Sequence, residues 1–318
     1  MGACLTNVRL LRPALSGIFG RSFHLHSIYY ARERIAQICS LGAALATAPI
    51  SQTGSCVQGG ITLSTTDWFI RPQPKLAPAA RLICLLYAGG SAATYIPWSR
   101  LLPREVELIA LQPPGRGSRM AQTPHSQMQP LISELMSVFP KVTDRPYVIF
   151  GHSLGSRVGF ELVLQCQMKG LPLPARFIAS GSRAPHLFKR ELPIYDLPDA
   201  EFVEALRDLD GTPEEVLNNS ELIQWLLPVL RADFRIADTH CAPRTALNCP
   251  LTVFGGTEDE TVSVAEIEAW REVAANECDI HWVEGGHFFV ERNREWVLEQ
   301  VNAILARVIA SRSARLHL

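Results

Sequence analysis

Patterns that bind metals or form redox pairs are missing from the sequence. Its eight cysteines are scattered over 318 residues without CxxC or CxxxxH spacing, so zinc sites and dithiol pairs receive little support. Cys84 and Cys166 lie in apolar segments and are interpreted as small core residues. We therefore expect no metal site in this chain.

A charge excess and a long apolar run are missing as well. The 30 basic and 31 acidic side chains leave a formal charge of −1, which gives no reason to expect a nucleic acid partner. The apolar stretch at residues 35–48 is too short to span a bilayer, so we expect no stable insertion into a membrane. With 47% hydrophobic residues, the chain can form one large α/β domain or two small ones, and we expect a monomer.

Acidic residues are nearly missing from the N-terminal segment, where Glu33 is the only one before Asp67. Arginines stand there among serines and alanines, at positions 9, 12, 21, 32 and 34. This bias is typical of a transit peptide for a plastid or a mitochondrion. The alternatives are a bipartite leader that uses residues 35–48, which resemble a secretory hydrophobic region, and an extension without an address. We expect a leader or disordered extension at residues 1–66, an organellar location (otherwise the cytoplasm) and one functional domain at residues 67–318.

Short apolar runs bounded by Gly, Pro or polar residues recur along the rest of the chain. They occupy residues 81–87, 106–111, 147–150, 176–180, 251–254 and 279–283. Strands that are covered on both faces have this pattern. Helical patterns lie between several of them, at residues 128–142, 156–170 and 263–276. The alternation predicts an α/β fold with a mainly parallel sheet.

One long connection breaks this alternation. Between the fourth and fifth predicted strands, residues 191–238 contain only helix-like sequence, longer than the usual α/β connection. Thr212 and Glu215 have the spacing of a capping box around Pro213, and Pro228 interrupts the last helical pattern. We interpret the segment as a lid whose apolar underside forms a channel for an apolar substrate; an ordinary helical excursion is the alternative. The candidates to line this channel are Leu206, Val216, Leu226 and Leu230.

Three residues suited to nucleophilic catalysis follow three separate predicted strands. The stretch YVIFGHSLGSRVGF places Ser153 in a Gly-x-Ser-x-Gly turn between strand and helix, the pattern of a nucleophile elbow. The later loops GGTEDET and EGGHFFV supply Asp259 and His287. A serine hydroxyl needs a base to remove its proton, and the base needs an acid to orient it. Their order, Ser…Asp…His, is that of the α/β-hydrolases.

Neighbouring residues offer alternatives for two of these roles. Asp259 is preferred as the acid because of its Gly-x-x-Asp spacing from Gly256, and Glu258 is the alternative. His152 lies inside the elbow, but its side chain is expected to project away from the base and to serve in packing.

The oxyanion of the reaction requires two backbone donors. One is expected to be the amide of Leu154, directly after the nucleophile. The other is expected in the loop YAGGS after the first predicted strand, at the amide of Ala88. The two glycines of this loop allow the backbone to approach a substrate closely.

Several motifs of the chain together resemble the type II thioesterases. They are LLYAGGSAATYIPW, ALQPPGRGSR, FGHSLG, SGSRAPH, DLDGTPEEVL, LPVLRADF, FGGTEDETVSVAEIEAW and GGHFF. Such enzymes accompany nonribosomal peptide and polyketide synthases, and their relatives include medium-chain fatty-acyl-carrier thioesterases. The resemblance covers about residues 68–310. It implies an α/β-hydrolase fold and hydrolysis of acyl groups from the phosphopantetheine arm of an acyl or peptidyl carrier protein, in editing or release.

The resemblance extends to the individual site residues. Ser153, Asp259 and His287 match the triad of the family, and Ala88 and Leu154 match its oxyanion positions. Leu154 stands where methionine is frequent, and the N-terminal leader is outside the usual pattern. No metal or dissociable cofactor is implied, since the substrate carries the phosphopantetheine.

Three other functions remain open on the same residues. A triad does not distinguish sulfur from oxygen leaving groups, so a carboxylic-ester hydrolase is the nearest alternative. An acyltransferase would pass the acyl group to an amine or alcohol. A carrier-binding module without activity is the third.

Overall fold

The structure, a computed structural model, describes residues 68–189 and 191–316. The predicted leader at residues 1–66, and with it the organellar address, lies outside the described residues. No described helix is both long enough and apolar enough to cross a membrane.

Seven strands form one sheet in the order β1-β3-β2-β4-β5-β6-β7. They are β1 (Phe69–Ile70), β2 (Ala80–Leu85), β3 (Val106–Leu111), β4 (Tyr147–His152), β5 (Arg176–Ser180), β6 (Leu251–Gly256) and β7 (Cys278–Val283). All neighbours pair in parallel except β1, which runs antiparallel to β3. The mainly parallel sheet is confirmed, and every predicted strand lies within two residues of its expected bounds. Strand β1 was not predicted, because two residues are too few to show a periodicity.

The α-helices between the strands follow the predicted pattern with two corrections, and the two after β7 were not predicted. The α-helices are α1 (Met128–Val138), α2 (Leu154–Met168), α3 (Asp199–Asp208), α4 (Glu214–Leu217), α5 (Ser220–Thr239), α6 (Val264–Glu268), α7 (Phe289–Arg292) and α8 (Arg294–Leu316). The capping box at Thr212 was wrong, because Pro213 itself precedes α4 and no side chain caps that helix. Pro228 does not interrupt α5, since buried side chains on both sides of it, Leu227 and Val229, hold the helix in place.

Two apolar layers cover the sheet, one on each face. In β2, Ile83 and Leu85 belong to one buried cluster, whereas Leu82 and Cys84 belong to the other, as the two-residue period of a strand requires. The first cluster contains the buried apolar side chains of α1 and α2, and the second contains those of α8. The helices α3 to α5, called the lid below, have a smaller cluster of their own.

Helix α2 approaches the sheet unusually closely at its first turn. A methyl group at Gly155 would lie 2.6 Å from the carbonyl oxygen of Leu85 in β2. A methyl group at Gly151, the last residue but one of β4, would lie 2.3 Å from the carbonyl oxygen of Gly155. Both glycines of the Gly-x-Ser-x-Gly motif are therefore required by the distance between backbones.

Gly155→Ala should lower the free energy of unfolding by about 3 kcal/mol, the upper end of overpacking costs, because a backbone carbonyl cannot rotate out of the way. The matched change Gly170→Ala lies at the end of α2, where φ is +63° and no atom lies within 4 Å of the added methyl. This change should lower the free energy of unfolding by only about 1–2 kcal/mol, which is the cost of the left-handed backbone conformation for a residue with a side chain. Urea unfolding of both variants measures the difference, and equal losses would contradict the packing argument.

Candidate active site

Ser153 stands in a strained turn between β4 and α2. Its φ of 53° and ψ of −115° lie in a region that side chains other than glycine rarely adopt, at a cost of about 1–3 kcal/mol. Hydrogen bonds hold this turn to β5: the Ser153 amide donates to the carbonyl of Ser180 at 2.8 Å, and the Ser180 amide donates to the hydroxyl of Ser156 at 3.0 Å. The turn raises the Ser153 hydroxyl above the carboxyl end of the sheet.

The three side chains selected from the sequence meet in one hydrogen-bonded line. Nε2 of His287 lies 3.0 Å from Oγ of Ser153. Nδ1 of His287 lies 2.8 Å from Oδ2 of Asp259. With its proton on Nδ1, the imidazole donates to the carboxylate and leaves Nε2 free to accept the serine proton.

Asp259 is held in its ionised form by its surroundings. Its side chain is only 2% exposed, and its Oδ1 accepts hydrogen bonds from the Thr261 hydroxyl at 2.7 Å and from the amides of Thr261 at 2.9 Å and Val262 at 3.2 Å. Burial raises the pKa of Asp259, but the hydrogen bond and charge of His287 and the bonds from Thr261 outweigh it and leave the pKa below its ordinary value. The alternative acid, Glu258, is exposed, and the carboxylate that His287 bonds is that of Asp259.

Thr261 was not selected from the sequence, although its Asp-x-Thr spacing is typical of a side chain that bonds its own turn. Its hydroxyl lies 2.9 Å from Nδ1 of His287 as well as 2.7 Å from Asp259. Thr261 therefore fixes the carboxylate and borders the imidazole at the same time.

His152 packs as expected but does not project away from the base. It is fully buried, and its ring centroid lies 5.3 Å from that of His287 and 5.2 Å from that of Phe289. The loop after β7 folds back over the end of β4, which brings the two imidazoles together. Burial, and then the neighbouring His287, lowers the pKa of His152 to about 3, so this ring is neutral.

The two amides expected in an oxyanion hole have no acceptor within residues 68–189 and 191–316. Ala88 occupies a turn that the amide of Gly90 closes by donating to the carbonyl of Tyr87 at 2.9 Å. Leu154 is the first residue of α2, where backbone amides lack a partner and favour negative charge. Both amides are thus free to donate to a ligand.

The lid contacts loops on both sides of Ser153. A methyl group at Gly211, between α3 and α4, would lie 2.2 Å from the ring of Phe288, the residue after His287. On the other side, a methyl group at Gly89 would lie 2.6 Å from Cδ2 of Leu230 in α5. The lid therefore lies against the histidine loop and against the loop of Ala88.

The four residues proposed to line the acyl channel are mostly buried within or beneath the lid. Leu206 and Leu230 belong to the lid's own buried cluster, with Leu226 packed against it, and Val216 is 6% exposed. A cavity of about 20 Å³ beside Leu154 is lined by other side chains. These are Leu86, Leu111, Pro113, Arg116, His125, Leu131, Val158, Asp233 and Ile236.

Among the described residues, no three His, Cys, Asp or Glu side chains are grouped so that they could hold a metal ion. A larger cavity of about 560 Å³ lies at the opposite, amino end of the sheet, beside Pro146, Ala175 and Pro250. None of the candidate site residues lines it.

One known family model covers most of the chain. Residues 80–305 match the family model described as the thioesterase domain. The chain belongs to the thioesterase family. Its reaction class is the hydrolysis of thioesters.

Individual relatives agree with the type II branch of this family. The gramicidin S biosynthesis protein GrsT of Aneurinibacillus migulanus is 34% identical, over 75% of this chain and 95% of its own length. Thioesterase PikA5 of Streptomyces venezuelae is 32% identical, over 78% of this chain and 87% of its own. The solved structure of the type II thioesterase BorB from the borrelidin biosynthetic cluster has 33% identity and a TM-score of 0.69, covering 76% of this chain and 97% of BorB. The predicted α/β-hydrolase fold is confirmed.

Asp259→Asn should lower kcat/KM by about 10⁴-fold, because the imidazole loses its orienting acceptor. Ser153→Ala and His287→Ala should each cost about 10⁶-fold in kcat, with losses that do not add in the double variant. Glu258→Gln is the matched control and should leave kcat/KM nearly unchanged. Steady-state hydrolysis of an acyl-pantetheine measures the four single variants and the double variant. A silent Asp259→Asn beside an impaired Glu258→Gln would reverse the choice of acid.

Proposed function

We propose that this chain is a serine thioesterase that hydrolyses acyl groups from the phosphopantetheine arm of acyl or peptidyl carrier proteins. The observation that carries the proposal is the line of hydrogen bonds from Ser153 through His287 to Asp259, at 3.0 and 2.8 Å, in a chain of the thioesterase family. No metal and no dissociable cofactor takes part.

The acylation half of the reaction follows from this line of groups. Nε2 of His287 takes the proton of Ser153 while Oγ attacks the thioester carbonyl carbon. The amides of Ala88 and Leu154 donate to the oxyanion of the tetrahedral intermediate. When the C–S bond breaks, His287 gives its proton to the departing pantetheine thiolate, and the acyl group remains on Ser153.

Hydrolysis of the acyl-enzyme repeats these steps with water. His287 removes a proton from the water, the hydroxide oxygen attacks the ester carbonyl, and the same two amides hold the new oxyanion. His287 then returns the proton to Oγ of Ser153 as the acid leaves. Asp259 stays ionised throughout and stabilises the imidazolium that forms in each half.

A carrier-bound substrate and an editing or release role rest on the relatives. A gramicidin S biosynthesis protein, a type II thioesterase from the borrelidin cluster and a structure from the colibactin NRPS/PKS pathway are similar over most of this chain. Medium-chain S-acyl fatty acid synthase thioesterases are more distant, with 27% identity for the human protein. Fatty acyl, polyketide and peptidyl groups are thus the substrate classes to test.

A panel of acyl groups loaded on several carrier proteins tests this function, with intact mass as the readout. Loss of the acyl mass at the carrier, with free acid as the only product, is expected. For a matched acyl group, the kcat/KM for the acyl-pantetheine should exceed that for the p-nitrophenyl ester. A higher value for the oxygen ester would favour an ester hydrolase, transfer to an added amine or alcohol would favour an acyltransferase, and carrier binding without turnover would favour a silent module.

Tryptophan at the proposed channel positions should shorten the preferred acyl chain, since each buried methylene contributes roughly 0.8 kcal/mol to binding. The variants replace Leu206, Val216, Leu226 and Leu230 one at a time, and the exposed Leu192→Trp serves as a control. Melting temperature and acyl-length profile are measured together. A residue that only packs in the core would lower the melting temperature through overpacking and leave the profile unchanged. Four unchanged profiles would rule out the lid as the element that selects chain length.

A further inference from the structure

A buried carboxylate of the lid reaches the loop that carries Ala88. Asp233 lies on α5 and its side chain is 5% exposed. Its Oδ2 accepts a hydrogen bond from the amide of Gly89 at 2.8 Å. An acidic side chain of the lid thus bonds the backbone next to the proposed oxyanion donor.

Gly89 is the residue that gives this loop its shape. The turn from Tyr87 to Gly90 has Gly89 at its third position with φ of +74°, as a type II turn requires. Rotating the Ala88–Gly89 peptide into a type I turn would point the Gly89 amide away from Asp233. The bond to Asp233 therefore selects one turn conformation.

Arg116 holds the carboxylate in place from the other side. Its guanidinium donates two hydrogen bonds of 2.8 Å to Asp233, one to each carboxylate oxygen, and a third of 3.2 Å to the carbonyl of Gly90. Arg116 comes from the loop after β3, and its side chain is 9% exposed. Such planar, two-bond pairs fix geometry as well as charge. Three elements, the turn after β2, the loop after β3 and lid helix α5, meet in this cluster.

We propose that Asp233 is a positioning residue for the oxyanion hole: its bond to Gly89 tethers the peptide that directly follows Ala88, and so holds the turn where the amide of Ala88 points at the reacting carbonyl only when α5 is seated on it. This rests on the proposed function of Ala88 as an oxyanion donor. The lid thereby completes the catalytic machinery in addition to covering it. A substrate that holds α5 against the turn would therefore bind with higher affinity and also react with a higher kcat.

A second buried carboxylate of α5 provides a control for a side chain that only anchors the lid. Asp238 lies on the same helix, and its side chain is 3% exposed. It also binds one cation and one backbone amide, Lys189 at 2.7 Å and Ile194 at 2.9 Å. Its partners belong to the segment that leads into the lid and not to the turn of Ala88. Asp233 and Asp238 thus make the same kinds of bond to different targets.

The test compares Asp233→Ala, Asp233→Asn and Asp238→Ala in the full chain. Asp233→Ala should lower kcat by about 10²-fold, the usual effect of misplacing a reacting group by an ångström, with KM changing less. Asp233→Asn keeps an oxygen that can accept from Gly89 and should recover about tenfold of that loss. Asp238→Ala should lower the melting temperature and leave kcat unchanged.

Two ligands separate positioning from general damage to the lid. An acyl trifluoromethyl ketone forms a tetrahedral adduct with an oxyanion, so its affinity should fall in parallel with kcat/KM in the Asp233 variants. The thioether analogue of the substrate has no oxyanion, and its affinity should stay within a few-fold of the parent. Equal losses of affinity for the two ligands would overturn the proposal, and so would equal values of kcat in Asp233→Ala and Asp238→Ala. If Asp233→Ala does not fold, Asp233→Asn decides by the same two affinities.

Labelling of Ser153 by a fluorophosphonate distinguishes a failure of the positioning role from a failure of the proposed function. The reagent needs the nucleophile and the oxyanion donors but no particular acyl chain or carrier. A parent chain that labels rapidly yet cleaves no acyl thioester would overturn the proposed function, and slower labelling of Asp233→Ala than of Asp238→Ala would still support the positioning role. Equal labelling rates in these two variants would overturn it.

Discussion

The close contact of helix α2 with the carboxyl ends of β2 and β4 is the constraint on which the active site depends. It requires residues without a side chain at Gly151 and Gly155, because each approaches a backbone carbonyl or peptide directly. A turn this tight forces Ser153 to a φ of 53°. The surrounding bonds, among them those of Ser156 and Ser180, hold the turn in that conformation. The nucleophile is therefore placed before any substrate arrives, which is the main requirement of preorganised catalysis.

Each catalytic loop is fixed by a group that does not itself react. Ser156 fixes the elbow, Thr261 fixes the carboxylate of Asp259, and Phe288 places the histidine loop against the lid at Gly211. Loops would otherwise be the more mobile parts of the molecule, and a misplacement of one ångström is costly in rate. The lid contributes to this fixation from two sides, which makes its position relevant to chemistry as well as to substrate binding.

Sequence patterns were sufficient for six of the seven described strands and for Ser153, Asp259 and His287, because both are encoded locally. A buried strand appears as a short apolar run, and an elbow appears as two glycines around a serine between such a run and a helix. The directions of side chains and the contacts between residues far apart in sequence could not be predicted from such local patterns. The direction of His152 depends on how a loop some 130 residues later folds back, and the bond from Gly89 to Asp233 joins residues 144 positions apart. The continuation of α5 through Pro228 also depends on tertiary packing that overrides the local preference.

The neutral state of His152 has a consequence for the charge that develops on His287. During the reaction His287 becomes an imidazolium, and the ring beside it is only 5.3 Å away. A second positive charge at that distance would raise the energy of this state by about 3 kcal/mol, taking an effective dielectric constant of about 20, which is roughly a hundredfold in rate. Burial lowers the pKa of His152 to about 3, so the ring stays uncharged and that repulsion does not arise. The elbow position thus tolerates histidine because the ring is completely buried, whereas an arginine there would keep its charge beside the base.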